Sequence, residues 1–278
     1  MVRTLVLRRS AAAGSVERTS VSTAPTPSGN GEGAVRTVWV TGAGSGVGRA
    51  VAVSAARAGA RVVLTGRRPD ALAATAALVR DVGGQALELP ADTSREDQLQ
   101  AAWETLGSTW GAPTDLVLSA GLNHPRRYWR DQTMADFRAI VDTNLTAAAM
   151  AVDLALPGLR AAGGGVVVFV SSVSGWQFSP DAGVAYSASK TAVGSLAAHL
   201  NAQENRNGVR ACSVCPGDID SDFLSLRPVV PGEGDRVAML SPEDVARTVQ
   251  FVLDSPPHVC VAELVVTPTK KDPATAGR

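Results

Sequence analysis

The chain has 278 residues, enough to bury one sizeable core. Its 45% hydrophobic and 19% charged content, with 26 basic residues against 26 acidic ones, excludes the basic surface of a nucleic-acid binder or of a protein held to a membrane by charge. Three cysteines, Cys212, Cys215 and Cys260, are too few and too odd a number for a disulfide framework, so a reducing, cytoplasmic compartment is expected.

The first 34 residues are rich in Ser, Thr, Gly, Ala and Arg and read as a disordered tail or an over-long start. Arg8 and Arg9 resemble the basic start of an export signal, but such a signal continues with an apolar stretch of about 7 to 15 residues. Residues 10–20 are mainly small and polar. No run of the chain approaches the roughly 18 apolar residues that span a bilayer.

From Val35 onward short apolar runs alternate with longer segments of helical period, the pattern of an α/β domain with a parallel sheet covered on both faces. The runs 38–41, 61–65, 86–89, 115–119, 166–170, 209–215 and 261–266 read as buried strands because they lack polar alternation. Segments 47–58, 70–82, 95–106, 135–160, 185–205 and 242–253 predict the helices between and after them. One domain over 35–269, followed by a flexible tail over 270–278, accounts for the pattern.

Directly after the first run comes Thr41-Gly42-Ala43-Gly44-Ser45-Gly46-Val47-Gly48, leading into a helix. A strand that turns sharply into a helix aims free backbone N–H groups at one point, and glycines clear the side chains that would keep a phosphate away. Taken alone, such glycines also fit a tight connection with no ligand. At the end of the second run, where a carboxylate would bond an adenosine 2′-hydroxyl, stands Thr65-Gly66-Arg67-Arg68. Guanidinium groups there suit a 2′-phosphate and so favour NADP over NAD, while Pro69 and Asp70 behind them also make a solvated helix entry.

Further along, Asn144 falls on a stripe with Phe137, Ile140, Val141 and Ala148, so its helix is expected to bury an amide that needs partners. Ser172 follows an apolar strand at the edge where sheets of this kind bind ligands, although a strand-end serine also satisfies local backbone. Tyr186 and Lys190 stand four apart at the start of a predicted helix, which stacks them on one face. An ammonium beside a phenol lowers its pKa, so Lys190 is expected to activate Tyr186. An ordinary surface pair has the same spacing, but Lys190 is the only lysine before residue 270 in a chain that otherwise uses arginine.

Together these residues resemble the short-chain dehydrogenase/reductase family, in the branch with Thr-Gly-x-x-x-Gly-x-Gly and Tyr-x-x-x-Lys, over about residues 38–267. The resemblance implies a Rossmann-type, doubly wound, mostly parallel seven-stranded sheet with NADP along its carboxyl edge. It makes Tyr186 the general acid/base, gives Lys190 a hold on the nicotinamide ribose, has Ser172 orient the substrate, and lets Asn144 anchor a proton-relaying water. Asp92 would contact adenine or, equally well, cap the next helix. Pro216-Gly217 would hold the carboxamide, and Ser221 would stand where the family often has a threonine on the pyrophosphate. Thr93, Ala120, Gly121 and Ile219 complete the expected cofactor contacts. The substrate is expected to be an alcohol or carbonyl compound, with 3-hydroxy acids suggested by the segments around 65–68, 241–245 and 257–269. A homodimer or homotetramer is implied, formed through the small residues Ser187, Ala188, Ser189, Ala192, Gly194 and Ser195, with no nucleic acid or membrane partner.

Two departures from the family pattern stand out. Leu118-Ser119-Ala120-Gly121 carries serine where the family has a structural asparagine, and Ser172 precedes Tyr186 by one residue more than usual, implying an insertion within 175–184. That loop and 218–240 are expected to cover the substrate, with Trp176, Phe178 and His124 in the pocket. The spacing of Cys212 and Cys215 is redox-like, but along a strand it points them to opposite faces. The three histidines lack ligand spacing, so no metal is expected. A silent nucleotide sensor of the same fold is the main rival reading, and a methyltransferase a minor one.

Overall fold

In the computed structural model, which describes residues 35–269, the apolar runs become seven strands: β1 (Thr37–Thr41), β2 (Arg61–Gly66), β3 (Gln85–Pro90), β4 (Asp115–Leu118), β5 (Gly165–Val170), β6 (Val209–Pro216) and β7 (Glu263–Val266). The tails expected at 1–34 and 270–278 lie outside the described residues. All neighbouring strands pair in parallel, in the order β3-β2-β1-β4-β5-β6-β7. The chain therefore winds outward from β1 to β3, returns beside β1 at β4, and winds outward again. At that reversal the connections leave on opposite faces and open a crevice at the carboxyl ends of β1 and β4.

The helices are α1 (Gly46–Arg57), α2 (Pro69–Asp81), α3 (Glu96–Trp110), α4 (Met134–Val141), α5 (Ala147–Ala161), α6 (Val173–Trp176), α7 (Val184–Glu204), α8 (Glu233–Arg236) and α9 (Pro242–Leu253). They pack as two layers. Val38, Val40, Val62 and Leu64 face one core with α1, α2 and α9, while Trp39, Val63, Leu116 and Phe169 face the other with α3, α5 and α7. Successive strand residues thus serve opposite cores, which is why the central runs show no polar alternation. The two edge strands correct that expectation. β3 buries only Leu89 and β7 buries no residue fully, with Gln85, Pro90, Glu263 and Val265 exposed.

Helices α4 and α5 join through a π-helical turn, Asp142–Thr146, into one continuous 28-residue helix, Met134–Ala161. By length and hydropathy this helix is long and apolar enough to cross a membrane, which corrects the reading of apolar runs above. In this fold it is a layer helix whose residues Ala151, Ala155 and Leu159 pack into the second core. The amino edge of the sheet is closed by Arg36, which pairs with Asp115 at 2.8 Å and Asp254 at 3.0 Å. The carboxyl edge is left open.

Candidate active site

The site is built on that open edge. After β1 the backbone turns through Gly42, at φ +66°, and Gly46, at φ +49°, values that side chains other than glycine rarely adopt. A Cβ at Gly42 would sit 2.8 Å from the backbone of Ala120, and one at Gly48 would sit 2.3 Å from the Gly42 carbonyl oxygen. The turn is therefore wound as tightly as a backbone allows. Thr41 accepts the Ala120 N–H at 3.2 Å and fixes the end of β4 beside it. Helix α1 begins with no side-chain cap from Ser45 and no acid in its first turn, so its positive end stays uncompensated. Nothing lies closer to the position of a Gly46 Cβ than the Ser221 Cβ, at 3.7 Å.

Gly42, Ser45, Gly46, Val47 and Gly48 line one side of a cavity of about 750 Å³. At one end of it are Arg67 and Arg68, both exposed and without an ion pair among the described residues. Arg68 is also the N-cap position of α2, with Pro69 after it, as the helix-entry reading of this pair expects. Asp92 and the buried Thr93 line the same end. Asp92 does not cap α3, whose N-cap position is Arg95; its carboxylate accepts the Ser94 N–H at 3.0 Å and the Ser94 hydroxyl at 2.7 Å. Ser119, Ala120 and Gly121 line the cavity at the end of β4, and Pro216, Gly217, Ile219 and Ser221 line it beyond β6. Gly217 donates to the Val266 carbonyl at 2.8 Å, and Ile219 bridges to Leu240. A cradle this shape, walled by glycine backbone and the start of a helix, fits a dinucleotide pyrophosphate.

Ser172, Tyr186 and Lys190 also line the cavity, so the geometry brings all three together. Ser172 is buried at the end of β5 and accepts the Ser174 N–H at 3.1 Å, which starts α6. Lys190 is buried one turn beyond Tyr186. Its Nζ donates to the Val170 carbonyl at 2.7 Å and lies 5.8 Å from the centre of the Tyr186 ring. Burial brings its pKa down from 10.5 to about 8, opposed by Cys215.

The expected acidification of Tyr186 by Lys190 is corrected here. Burial, the largest influence, raises the phenol above its ordinary value. The opposing pull comes from a hydrogen bond with Ser172 and from the Arg127 and Arg227 guanidinium groups, with Asp218 working the other way. Lys190 is spent on a backbone carbonyl beneath the ring.

Asn144 is buried in the π-helical turn, aligned with Ile140, Ala147 and Ala151; Phe137, Val141 and Ala148 are only half-buried. Its amide accepts the Leu122 N–H at 2.7 Å and donates to the Leu122 carbonyl and the Ser189 hydroxyl, each at 3.0 Å. The side chain locks the loop after β4 to α7. Close approach fixes the other loop too: a Cβ at Gly175 would fall 2.5 Å from the Lys190 carbonyl oxygen. The small residues of α7 divide, with Ser189 buried and Gly194 facing Ser213 on the sheet, while Ala188 and Ser195 are exposed.

The substrate end differs from expectation. Trp176 and Phe178 are 51% and 88% exposed, and neither they nor His124 line the cavity. Its wall is made instead by Asn123, Arg127, Tyr128, Phe223 and Arg227. Sequence reasoning passed over Arg127. The available signal was its position in the loop directly after β4, at the carboxyl edge where ligands bind.

The family model described as short chain dehydrogenase matches residues 36–228. Glycine betaine reductase ATRR of Emericella nidulans is 34% identical over 77% of this chain, and the matched region spans only 17% of that much longer protein. An uncharacterized oxidoreductase of Staphylococcus saprophyticus is 31% identical over 77% of this chain and 88% of its own length. Among solved structures, a metagenomic short-chain oxidoreductase in complex with NADP superposes with a TM-score of 0.73 at 28% identity, covering 85% of this chain and 98% of that one. A short-chain dehydrogenase from Mycobacterium paratuberculosis bound to NAD gives 0.72 at 28% identity, covering 83% and 96%.

Proposed function

Since this chain belongs to the short-chain dehydrogenase family, and so is an NAD(P)-dependent oxidoreductase, we propose that it prefers NADP and moves a hydride between the nicotinamide and an alcohol or carbonyl carbon held beside Tyr186. The observation that carries this reading is the single cavity that joins the glycine turn to Ser172, Tyr186 and Lys190. The nicotinamide, when bound, supplies or accepts the hydride. Gly42, Ser45, Gly46, Val47 and Gly48 would hold the pyrophosphate, Arg67 and Arg68 the 2′-phosphate, Asp92 and Thr93 the adenine end, and Ala120, Gly121, Pro216, Gly217, Ile219 and Ser221 the remainder.

At the reacting end the Ser172 hydroxyl orients the substrate oxygen. Tyr186 gives its proton to that oxygen as the carbonyl is reduced and takes one back as the alcohol is oxidised. A phenol whose pKa is raised by burial keeps that proton at neutral pH, as a donor must. Lys190, fixed on Val170, presents its ammonium beneath the ring where it would also hold the nicotinamide ribose. Asn144 maintains the wall through Leu122 and Ser189. Alcohols and carbonyls are the substrate class, with 3-hydroxy acids first to be tried, and a second copy of the chain is the proposed partner.

A panel of carbonyl compounds run with NADPH and with NADH side by side tests the reading. Turnover with NADPH is expected, lost in Tyr186→Phe with dinucleotide affinity nearly unchanged. Nicotinamide binding without turnover of any carbonyl would favour a silent nucleotide sensor. Full activity in Tyr186→Phe would refute the proton path.

A further inference from the structure

The substrate end of the cavity holds a cation that the reaction above does not use. Arg127 is only 4% exposed, yet it forms no ion pair among the described residues. Its partners are backbone carbonyls from three separate segments: Nε donates to His124 at 2.9 Å, Nη1 to Asp181 at 3.4 Å and Nη2 to Leu226. A guanidinium carries five N–H groups, so one remains on each Nη, and such a fork matches a carboxylate. The neighbouring Arg227 is different, since Asp218 neutralises it.

Room for Arg127 is built into the backbone. Gly183, at φ +93°, would place a Cβ only 2.5 Å from the Arg127 Cβ. Burial most of all, and the nearby Arg227, disfavour the charged guanidinium, while Tyr128 and Tyr186 favour it; a bound anion would relieve the remaining cost. Three carbonyls take three N–H groups, more than the two an amide has, so part of the guanidinium's duty is to clasp these segments. The two N–H groups left over, on a cation that lines the cavity with no counter-ion among the described residues, are what a purely structural clasp leaves unused.

We propose that the substrate carries a carboxylate that Arg127 receives, so that the enzyme acts on short-chain hydroxy or oxo acids rather than on neutral alcohols and ketones. The proposal rests on the oxidoreductase reading and adds to it the residue that selects the substrate. With the carboxylate on Arg127, the reacting carbon lies on the Tyr186 side of the same cavity.

The test is titration calorimetry of the full chain saturated with NADP⁺, using butyrate, butyramide and inorganic phosphate as probes. Butyrate is expected to bind more tightly than butyramide by on the order of ten- to a hundredfold. Arg127→Gln should abolish that preference and Arg127→Lys should keep part of it. Because Arg127→Gln also loosens three loops, the comparison of butyrate with butyramide on the unmodified protein stands alone if that variant does not fold. Equal binding of acid and amide, no binding of butyrate, or a preference for phosphate would each overturn the carboxylate assignment while leaving the oxidoreductase reading in place. Failure of both NADP⁺ and NAD⁺ to bind would overturn both.

Discussion

Replacing Lys190 by methionine should remove a pH-dependent cost from the ligand-free fold. An unfolded lysine titrates near 10.5, whereas burial lowers Lys190 to about 8. Its folded pKa is thus depressed, and for a base that means the charged form destabilises the fold. Below pH 8 both states carry the proton and the cost is constant. Between about 8 and 10.5 the folded side chain is neutral while the unfolded one is still charged, so stability rises with pH; above 10.5 the cost is gone. At about 1.4 kcal/mol per tenfold change in proton affinity, this difference is worth about 3 kcal/mol. The substitution also leaves the Val170 carbonyl without its donor, a loss of about 1 to 3 kcal/mol that does not depend on pH. The readout is therefore the slope. Urea denaturation of both proteins from pH 7 to 10.5, without dinucleotide, should show the wild type gaining about 3 kcal/mol relative to Lys190→Met. Parallel curves, agreeing within about 1 kcal/mol across that range, would refute a buried, charged Lys190.

Gly48→Ala should weaken dinucleotide binding and destabilise the fold by about 1 to 3 kcal/mol, because the new methyl would lie 2.3 Å from the Gly42 oxygen; calorimetry and thermal unfolding check it, and unchanged affinity would contradict the cradle. Exchanging Arg67 and Arg68 for serine should lower kcat/KM with NADPH by on the order of ten- to a hundredfold and leave NADH nearly untouched. A uniform loss with both cofactors would argue against a 2′-phosphate site. Asn144→Leu should cost at least about 2 kcal/mol in denaturant unfolding, since the Leu122 N–H and carbonyl lose their partner.

The central strands and their helices were legible because each face of the sheet is covered, which turns a strand into an unbroken apolar run. The edges were harder to read. β3 has a neighbour on one side only and keeps Gln85 exposed, while α3 continues four residues past its apolar period to Trp110. There Thr105, Ser108 and Thr109 bond back to carbonyls of the same helix, which a pattern of burial does not register. The spacing of Tyr186 and Lys190 predicted their adjacency but not their electrostatics, since the Val170 carbonyl and the burial that retunes both groups come from packing. Arg127 was missed for a related reason: its partners are main-chain oxygens from positions 124, 181 and 226, and main chain has no signature in sequence.

The glycine that meets the Lys190 carbonyl divides its loop into two stretches with different freedom to vary. From Ser172 to Gly175 the path is dictated by contact with α7, and a side chain there would push the lysine's own turn aside. A residue added to this loop is therefore accommodated more easily downstream, between Trp176 and Gly183. Ser179, Asp181 and Ala182 of that later stretch line the cavity, so lengthening or grafting it is expected to change which molecules are admitted while leaving Tyr186 and Lys190 in place.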